Sequence, residues 1–243
     1  MMKILDLGFG SPSYDLACDE ALLDASDASG GDELLRFWQP KKYFVVLGYS
    51  NAWKNEVKRP VRVPILRRPS GGGTVLQGPG CLNYSLILKI KSGGPTDSIH
   101  STNKFVMERN RQALEKLLGR QVQVEGHTDL AIAGINGHAP LLKFSGNAQR
   151  RKGKRLLFHG TFLLAFDASR MDRILKVPEK QPGYRQDRGH SDFVTNLHVS
   201  AEKVKRAMMS AWSAREKLTD IPKAHLEKLA RERYSRDDWN LKF

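Results

Sequence analysis

Three consecutive glycines interrupt two short apolar runs in Arg67-Arg68-Pro69-Ser70-Gly71-Gly72-Gly73-Thr74-Val75. A chain tolerates such a run only where its backbone bends sharply or must approach something closely, because each glycine forgoes side-chain packing and adds unfolded-state entropy. The two arginines just ahead set fixed positive charge beside exposed N–H groups. Guanidinium forks together with backbone donors are what holds an anion. A plain glycine-rich hairpin with solvated arginines fits the same residues. The run lacks the Gly-x-Gly-x-x-Gly spacing and following helix of a dinucleotide fold, and the Gly-Lys-Ser/Thr ending of a P-loop.

The flanks of the glycines read as short strands at 65–68 and 74–76. Beyond the turn at Gly78-Pro79-Gly80, Leu82, Tyr84, Leu86, Leu88 and Ile90 alternate with Asn83, Ser85, Ile87 and Lys89. That period of two predicts a strand with Asn83 and Ser85 on its more polar face. Further strands are expected at 34–38, 43–48, 122–125, 130–133, 142–145 and 156–166. Ser11-Pro12 opens a first helix with Tyr14, Ala17, Cys18, Ala21 and Leu22 on one face, and the small, acidic segment 25–32 reads as loop. The longest helix is expected at 98–118, stopped by Gly119. After a loop at 177–192 two helices close the chain, the second opened by Pro222, and a longer turn is expected at Gly134-Ile135-Asn136-Gly137. Strands in the middle and helices at the ends predict an α+β fold: a mixed, largely antiparallel central sheet flanked by helices.

Charge narrows the partners. Over 243 residues, 40 Lys and Arg stand against 26 Asp and Glu, a net +14, which predicts attraction to polyanions or to an acidic protein. The cluster Arg150-Arg151-Lys152-Gly153-Lys154-Arg155 contains no aromatic to stack a base, and the chain shows no helix-turn-helix or zinc spacing. A nucleic-acid module is therefore the weaker reading, behind an acidic protein partner or a solvated hairpin tip. The two cysteines, Cys18 and Cys81, make no disulfide framework, which fits a reducing, cytoplasmic setting. No apolar run approaches the ~18 residues of a membrane span.

Four pieces carry the site: the glycine run; Gly80-Cys81-Leu82-Asn83-Tyr84-Ser85; Gly126-His127-Thr128-Asp129-Leu130; and Lys143-Phe144-Ser145-Gly146-Asn147-Ala148-Gln149 with Phe158-His159-Gly160-Thr161-Phe162. In this order and spacing they resemble the lipoate–protein ligase family, relatives of biotin–protein ligases. The helix around Asp15-Leu16-Ala17-Cys18-Asp19-Glu20, the segment Leu47-Gly48-Tyr49-Ser50-Asn51 and the closing Tyr234-Ser235-Arg236-Asp237-Asp238-Trp239 agree with it. The resemblance implies a biotin/lipoate-ligase catalytic fold over 1–200, with 201–243 as a helical extension packed on the same domain.

It implies a two-step reaction as well. Lipoate or octanoate attacks the α-phosphate of ATP, with Mg²⁺, to give an acyl-adenylate; a lysine of a lipoyl carrier domain then takes the acyl group. Lys143 corresponds to the family's central lysine, with a solvated surface lysine as the alternative. Ser70, Gly71, Gly72, Gly73, Thr74 and Val75 would line the adenylate and acyl chain, with Arg67 toward ligand phosphate or carboxylate and Arg68 less defined. Asn83 corresponds to a polar position on the next strand, or braces the loop. Asp129 would hold Mg²⁺ or order the nucleotide; a turn-capping Asp is the other reading. Ser145 and Gly146 frame the lysine, and His159, Gly160 and Thr161 would pack beside it. Octanoyltransferases of the same family use a cysteine thiolate and no ATP. No cysteine occurs after Cys81 here, so that activity is the second reading. After Ser200 only a short segment remains, so a separate accessory protein is one expectation.

Overall fold

The computed structural model describes residues 2–134 and 140–243. The chain opens with β1 (Met2–Asp6), α1 (Pro12–Ser29) and β2 (Glu33–Trp38), and then β3 (Phe44–Leu47), the short α2 (Trp53–Glu56), β4 (Ile65–Arg67) and β5 (Val75–Gln77) surround the glycine run. The central strand β6 (Cys81–Lys89) leads to α3 (Ile99–Leu118), β7 (Gln123–Glu125), β8 (Asp129–Ile132), β9 (Leu142–Lys152) and β10 (Arg155–Leu163). Last come α4 (Ser169–Ile174), α5 (His190–Phe193), α6 (Ala201–Trp212), β11 (Ala214–Lys217), α7 (Lys223–Leu229) and α8 (Asp237–Asn240).

Two sheets result. The larger has the order β11-β1-β2-β6-β10-β9-β8-β7, and the smaller is β4-β3-β5. Along each strand neighbouring residues project to opposite faces. On β6 and β10 one face buries Leu82, Tyr84, Leu86, Leu88, Leu156, Phe158 and Phe162 against α3 and α6. The other face buries Ile87 and Leu157 against α1 and α7. The α+β reading with a largely antiparallel central sheet is what the molecule shows. Helix α3 keeps its expected bounds: Ser98 and Ser101 cap each other reciprocally, and Gly119 ends it at φ 61°.

Three expectations change. Residues 25–29 are helical rather than loop. The one acid there, Asp27, accepts from the Lys154 N–H at the β9–β10 turn at 2.8 Å, and just ahead of it Asp24 lies 2.7 Å from Lys152 Nζ. The strand expected at 142–145 runs on to Lys152, so the basic cluster sits in a hairpin rather than a free loop. Most of that cluster is already engaged: Arg151 donates to the carbonyls of Thr96 and Asp97, Arg155 to that of Gly31, and Lys152 pairs with Asp24. Arg150, Lys152 and Lys154 stay exposed at the hairpin tip. The closing segment is not purely helical, since β11 adds a parallel strand beside β1. Most of the turn expected at 134–137 lies outside the described residues. Among the described residues no helix is long and apolar enough to cross a membrane.

Candidate active site

Pairing register gathers the site. Asp129, Gly146, Thr161 and Asn83 form one row across β8, β9, β10 and β6, and Ala148, His159 and Ser85 form the next. Paired residues project to the same face, here the face shared with α1 and the glycine loop. Lys143 joins them through a β-bulge. Leu130 pairs with Ser145 but Ala131 pairs with Lys143, which leaves Phe144 as an extra residue in β9. Strict alternation would put Lys143 on the same side as Ser145; the bulge returns it to the side of Gly146.

There the Lys143 ammonium lies 2.8 Å from Asp129 Oδ1, while Asp129 Oδ2 accepts from the Tyr184 hydroxyl at 2.9 Å. A Cβ on Gly146 would stand 2.8 Å from Lys143 Cε and Nζ. The missing side chain is what lets the ammonium lie across the strand.

The glycine loop covers the same face. Gly71, Gly72 and Gly73 are exposed, and a Cβ at Gly72 would come within 3.7 Å of that of Ala148. Arg68 shapes the loop from beneath: Nη2 donates to the carbonyls of Gly71 (2.7 Å) and Gly73 (2.8 Å), and Nε donates to Ser70 Oγ (3.0 Å). Burial pulls the Arg68 guanidinium down to about 10, so it stays charged near neutral pH. With the carbonyls of Gly71 and Gly73 turned to this guanidinium, the loop has an internal cation to hold its shape. Thr74 Oγ1 accepts from Asn51 Nδ2 at 3.0 Å, and Val75 packs at the edge of an apolar cluster with Val46 and Leu66.

Several expected site residues do other work. Arg67, expected toward ligand phosphate or carboxylate, is fully buried: its Nη1 donates to the carbonyls of Gly48, Tyr49 and Asn51 at 2.8–2.9 Å, and its Nη2 has no hydrogen-bond partner. Trp239 and Asn240 hold its backbone, so it ties the strand below the loop to α8. Neighbouring residues at a strand end diverge, and here Arg68 turns to the loop while Arg67 turns away.

Asn83 and Thr161 close a polar triangle with Gln77, with contacts of 2.5–2.9 Å, that braces β5 on β6 and β10. Ser145 lies on the α3 face, opposite the fully buried Phe162 and Leu130. Gly160 is on that face too, where a Cβ would collide with the Asn147 side chain. Asn147 is itself bonded to the Tyr84 hydroxyl at 2.6 Å.

His159 stays on the cradle face, with Nε2 2.6 Å from Ser70 Oγ and Nδ1 3.8 Å from Asp19 Oδ2. Asp19, Arg36 and Tyr184 were not among the expected site residues. Asp15 and Asp19, four apart in an apolar helix and matched by one arginine in an apolar strand, were the available sign of a buried ion pair. Tyr184 sat in a loop without pattern. Trp38, paired across from Asn83, keeps its indole N–H buried without a partner.

Neither cysteine is placed for nucleophilic work. Cys18 and Cys81 are wholly buried, and burial pushes both thiols up to about 12. No three His, Cys, Asp or Glu side chains converge on a metal position among the described residues. What the face offers is a cradle of exposed backbone, one ammonium and its carboxylate partner.

The comparisons agree with this arrangement. The family described as "Lipoyl protein ligase A/B catalytic domain" matches residues 11–213. Lipoate–protein ligase 1 of Staphylococcus aureus is 28% identical over 244 residues, covering 94% of this chain and 70% of its own length. The octanoyltransferase LipM of Halalkalibacterium halodurans is 23% identical over 274 residues, covering 99% of this chain and 98% of its own. A structure from an archaeal lipoylation system of Thermoplasma acidophilum, a bi-partite lipoate protein ligase with its E2 lipoyl domain, superposes with a TM-score of 0.81 at 24% identity, over 99% of this chain and 95% of that one. With the glycine run, the Lys143 segment and strands β2 to β10 all inside the matched span, this chain belongs to the lipoyl protein ligase A/B catalytic-domain family.

Proposed function

We propose that this protein is an ATP-dependent lipoate–protein ligase that activates lipoate or octanoate and transfers it to a lysine of a lipoyl carrier domain. The observation that carries this reading is the Lys143 ammonium held on the cradle face by Asp129, on a chain whose two thiols are sealed. In the first step a carboxylate oxygen of the acid attacks the α-phosphorus of ATP, and the bond to pyrophosphate breaks. In the second the carrier amine attacks the acyl carbonyl, loses a proton, and AMP departs with the C–O electron pair. Negative charge builds on phosphoryl oxygen first and carbonyl oxygen second. One ammonium between the two serves both steps, and the exposed loop N–H groups supply neutral donors around it.

Among the described residues no cluster of His, Cys, Asp or Glu makes a magnesium site. Beside Lys143 stands the Asp129 carboxylate, and its two oxygens already meet Lys143 and Tyr184. A resident ion asks for more oxygen ligands than this, so magnesium enters the proposal only with the nucleotide. The net +14 supports an acidic carrier, and the bi-partite make-up of the similar Thermoplasma ligase supports a separate accessory protein.

The LipM relative raises a second reading, acyl transfer without ATP. That route needs a thiolate, and burial denies both cysteines that form. A double Cys18→Ala, Cys81→Ala variant is therefore expected to keep acylation within about threefold of wild type, since small buried residues are involved; loss of all turnover with the protein folded would favour the thiol route. The deciding assay mixes protein, octanoate or lipoate, ATP and Mg²⁺. Pyrophosphate release followed by carrier acylation supports the ligase, and acylation from a thioester donor without ATP supports the transferase.

Gly146→Ala offers a finer check. The new methyl would stand 2.8 Å from the flexible end of Lys143 and an ordinary 3.6 Å from Asp129 Oδ1, so it displaces the ammonium rather than the backbone. Adenylation is expected to fall on the order of 10²-fold, as for a misplacement of about 1 Å, with little change in Tm. An unaltered rate would detach Lys143 from the chemistry.

A further inference from the structure

We infer that Asp19, on the first helix, is a positioning residue for the glycine cradle, acting through His159 and Ser70. The hydrogens assign themselves. Ser70 Oγ accepts from Arg68 Nε at 3.0 Å, so its own hydrogen is free to go to His159 Nε2 at 2.6 Å. Nε2 then accepts, the ring proton belongs on Nδ1, and Nδ1 faces Asp19 Oδ2 at 3.8 Å. Asp19 is anchored in turn by Arg36 Nη1 at 2.5 Å and by the Ser85 hydroxyl at 2.7 Å.

A polar line thus runs from α1 to the loop through Arg36, Asp19, His159, Ser70, Arg68 and the carbonyls of Gly71 and Gly73, its Asp19–His159 step an electrostatic contact at 3.8 Å and the other steps hydrogen bonds. Beside the ring stand Asp19 from α1, Ser70 from the loop, and Ser85 of β6 opposite it in register; one step further out, Arg36 of β2 holds Asp19 and Asp15, and Arg68 holds Ser70. Ser70 is 1% exposed, so water cannot replace a lost partner there, and reversal of the Ser70–His159 bond would leave the serine hydrogen without an acceptor. The carboxylate charge, some distance from the loop, thereby selects the ring tautomer that keeps the cradle in shape.

This rests on the cradle being the adenylate site, and the test separates the two ideas. ¹⁵N NMR of the imidazole rings, with His159 assigned from a His159→Asn variant, is expected to show the Nδ1–H tautomer in the wild type and a changed tautomer population in Asp19→Asn. In adenylation assays with ATP and octanoate, Asp19→Asn and Ser70→Ala are each expected to raise KM about tenfold, more than they lower kcat, the scale of one lost buried hydrogen bond. The double variant should cost no more than one single, because both break the same line. If Asp19→Asn does not fold, Ser70→Ala with His159→Asn forms the same cycle without disturbing Arg36.

An Nε2–H tautomer in the wild type, or KM effects that simply multiply, overturns the proposal. A wild type that releases no pyrophosphate sinks the adenylate reading instead, and the tautomer result still decides the relay.

Discussion

Lys143→Ala is expected to lower acyl-adenylate formation by at least ~10²-fold, the scale seen when one preorganised group that stabilises developing charge is removed, with the fold intact. The stability expectation follows from the surroundings. The Lys143 side chain is 26% exposed and its partner Asp129 14%, and Asp129 keeps its bond from Tyr184. A pair this open to water contributes ~0–1 kcal/mol, so Tm should move little. The kinetic expectation follows from position: the bulge at Phe144 and the bare backbone at Gly146 both serve to lay this ammonium on the cradle face. Lys143→Arg should not restore the rate, because a planar fork does not substitute for a compact ammonium in the space Gly146 leaves. The readouts are pyrophosphate exchange for the first step, transfer from preformed acyl-AMP for the second, and a melting curve for each variant. Near-normal exchange by Lys143→Ala would end the proposed mechanism.

The second large effect is on stability. Arg36→Met is expected to cost ~3–5 kcal/mol, because it strands buried carboxylates. Arg36 is wholly buried; it bonds Asp19 at 2.5 Å and Asp15 at 3.3 Å, and donates to the carbonyls of Leu7 and Asp15. Burial already pushes Asp15 up to about 6 with the arginine present. At Asp19 burial works in the same direction, but Arg36 and then His159 and Ser85 outweigh it and hold the carboxyl below its usual range. For a chain of this size the loss corresponds to a Tm lower by about 10 °C.

Its pH dependence has a definite sign. Without Arg36 both carboxyls titrate higher in the folded state than in the unfolded one. Such a group contributes stability below its unfolded pKa and loses it as pH rises through the folded pKa. The deficit against wild type should therefore be smaller at about pH 5 than at about pH 8. A uniform deficit, or none, would show that Arg36 is not what keeps Asp15 and Asp19 charged.

Much of the frame could be read from the residues. The alternation from Leu82 to Ile90 gave the central strand, Ser98 and Gly119 gave the ends of α3, and the Lys143 and glycine segments gave two stretches that the fold brings to one face of the sheet. Local patterns of this kind are legible because they act over a few residues: side-chain period, caps and turn chemistry. Misreadings arose where distant partners intervened. Residues 25–29 became helix, with Asp27 and the preceding Asp24 partnered on the β9–β10 hairpin. The basic run is the hairpin tip that was one of its readings, and distant partners meet three of its cations: Lys152 pairs with Asp24, and Arg151 and Arg155 donate to carbonyls from other parts of the chain.

Sequence by itself determined the α+β class, the alternating faces of the strands and the family-specific set of residues, since each depends on composition and on periods of two or about 3.6. Tertiary structure alone decided which of those residues look into the site. One extra residue at Phe144 reversed the face of Lys143, and closure of the sheet turned Ser145 and Gly160 to the opposite side. It also sent Arg67 into the interior and Arg68 under the loop. The reason is that side-chain direction is a property of strand register, and register is settled by pairing between segments far apart in the chain.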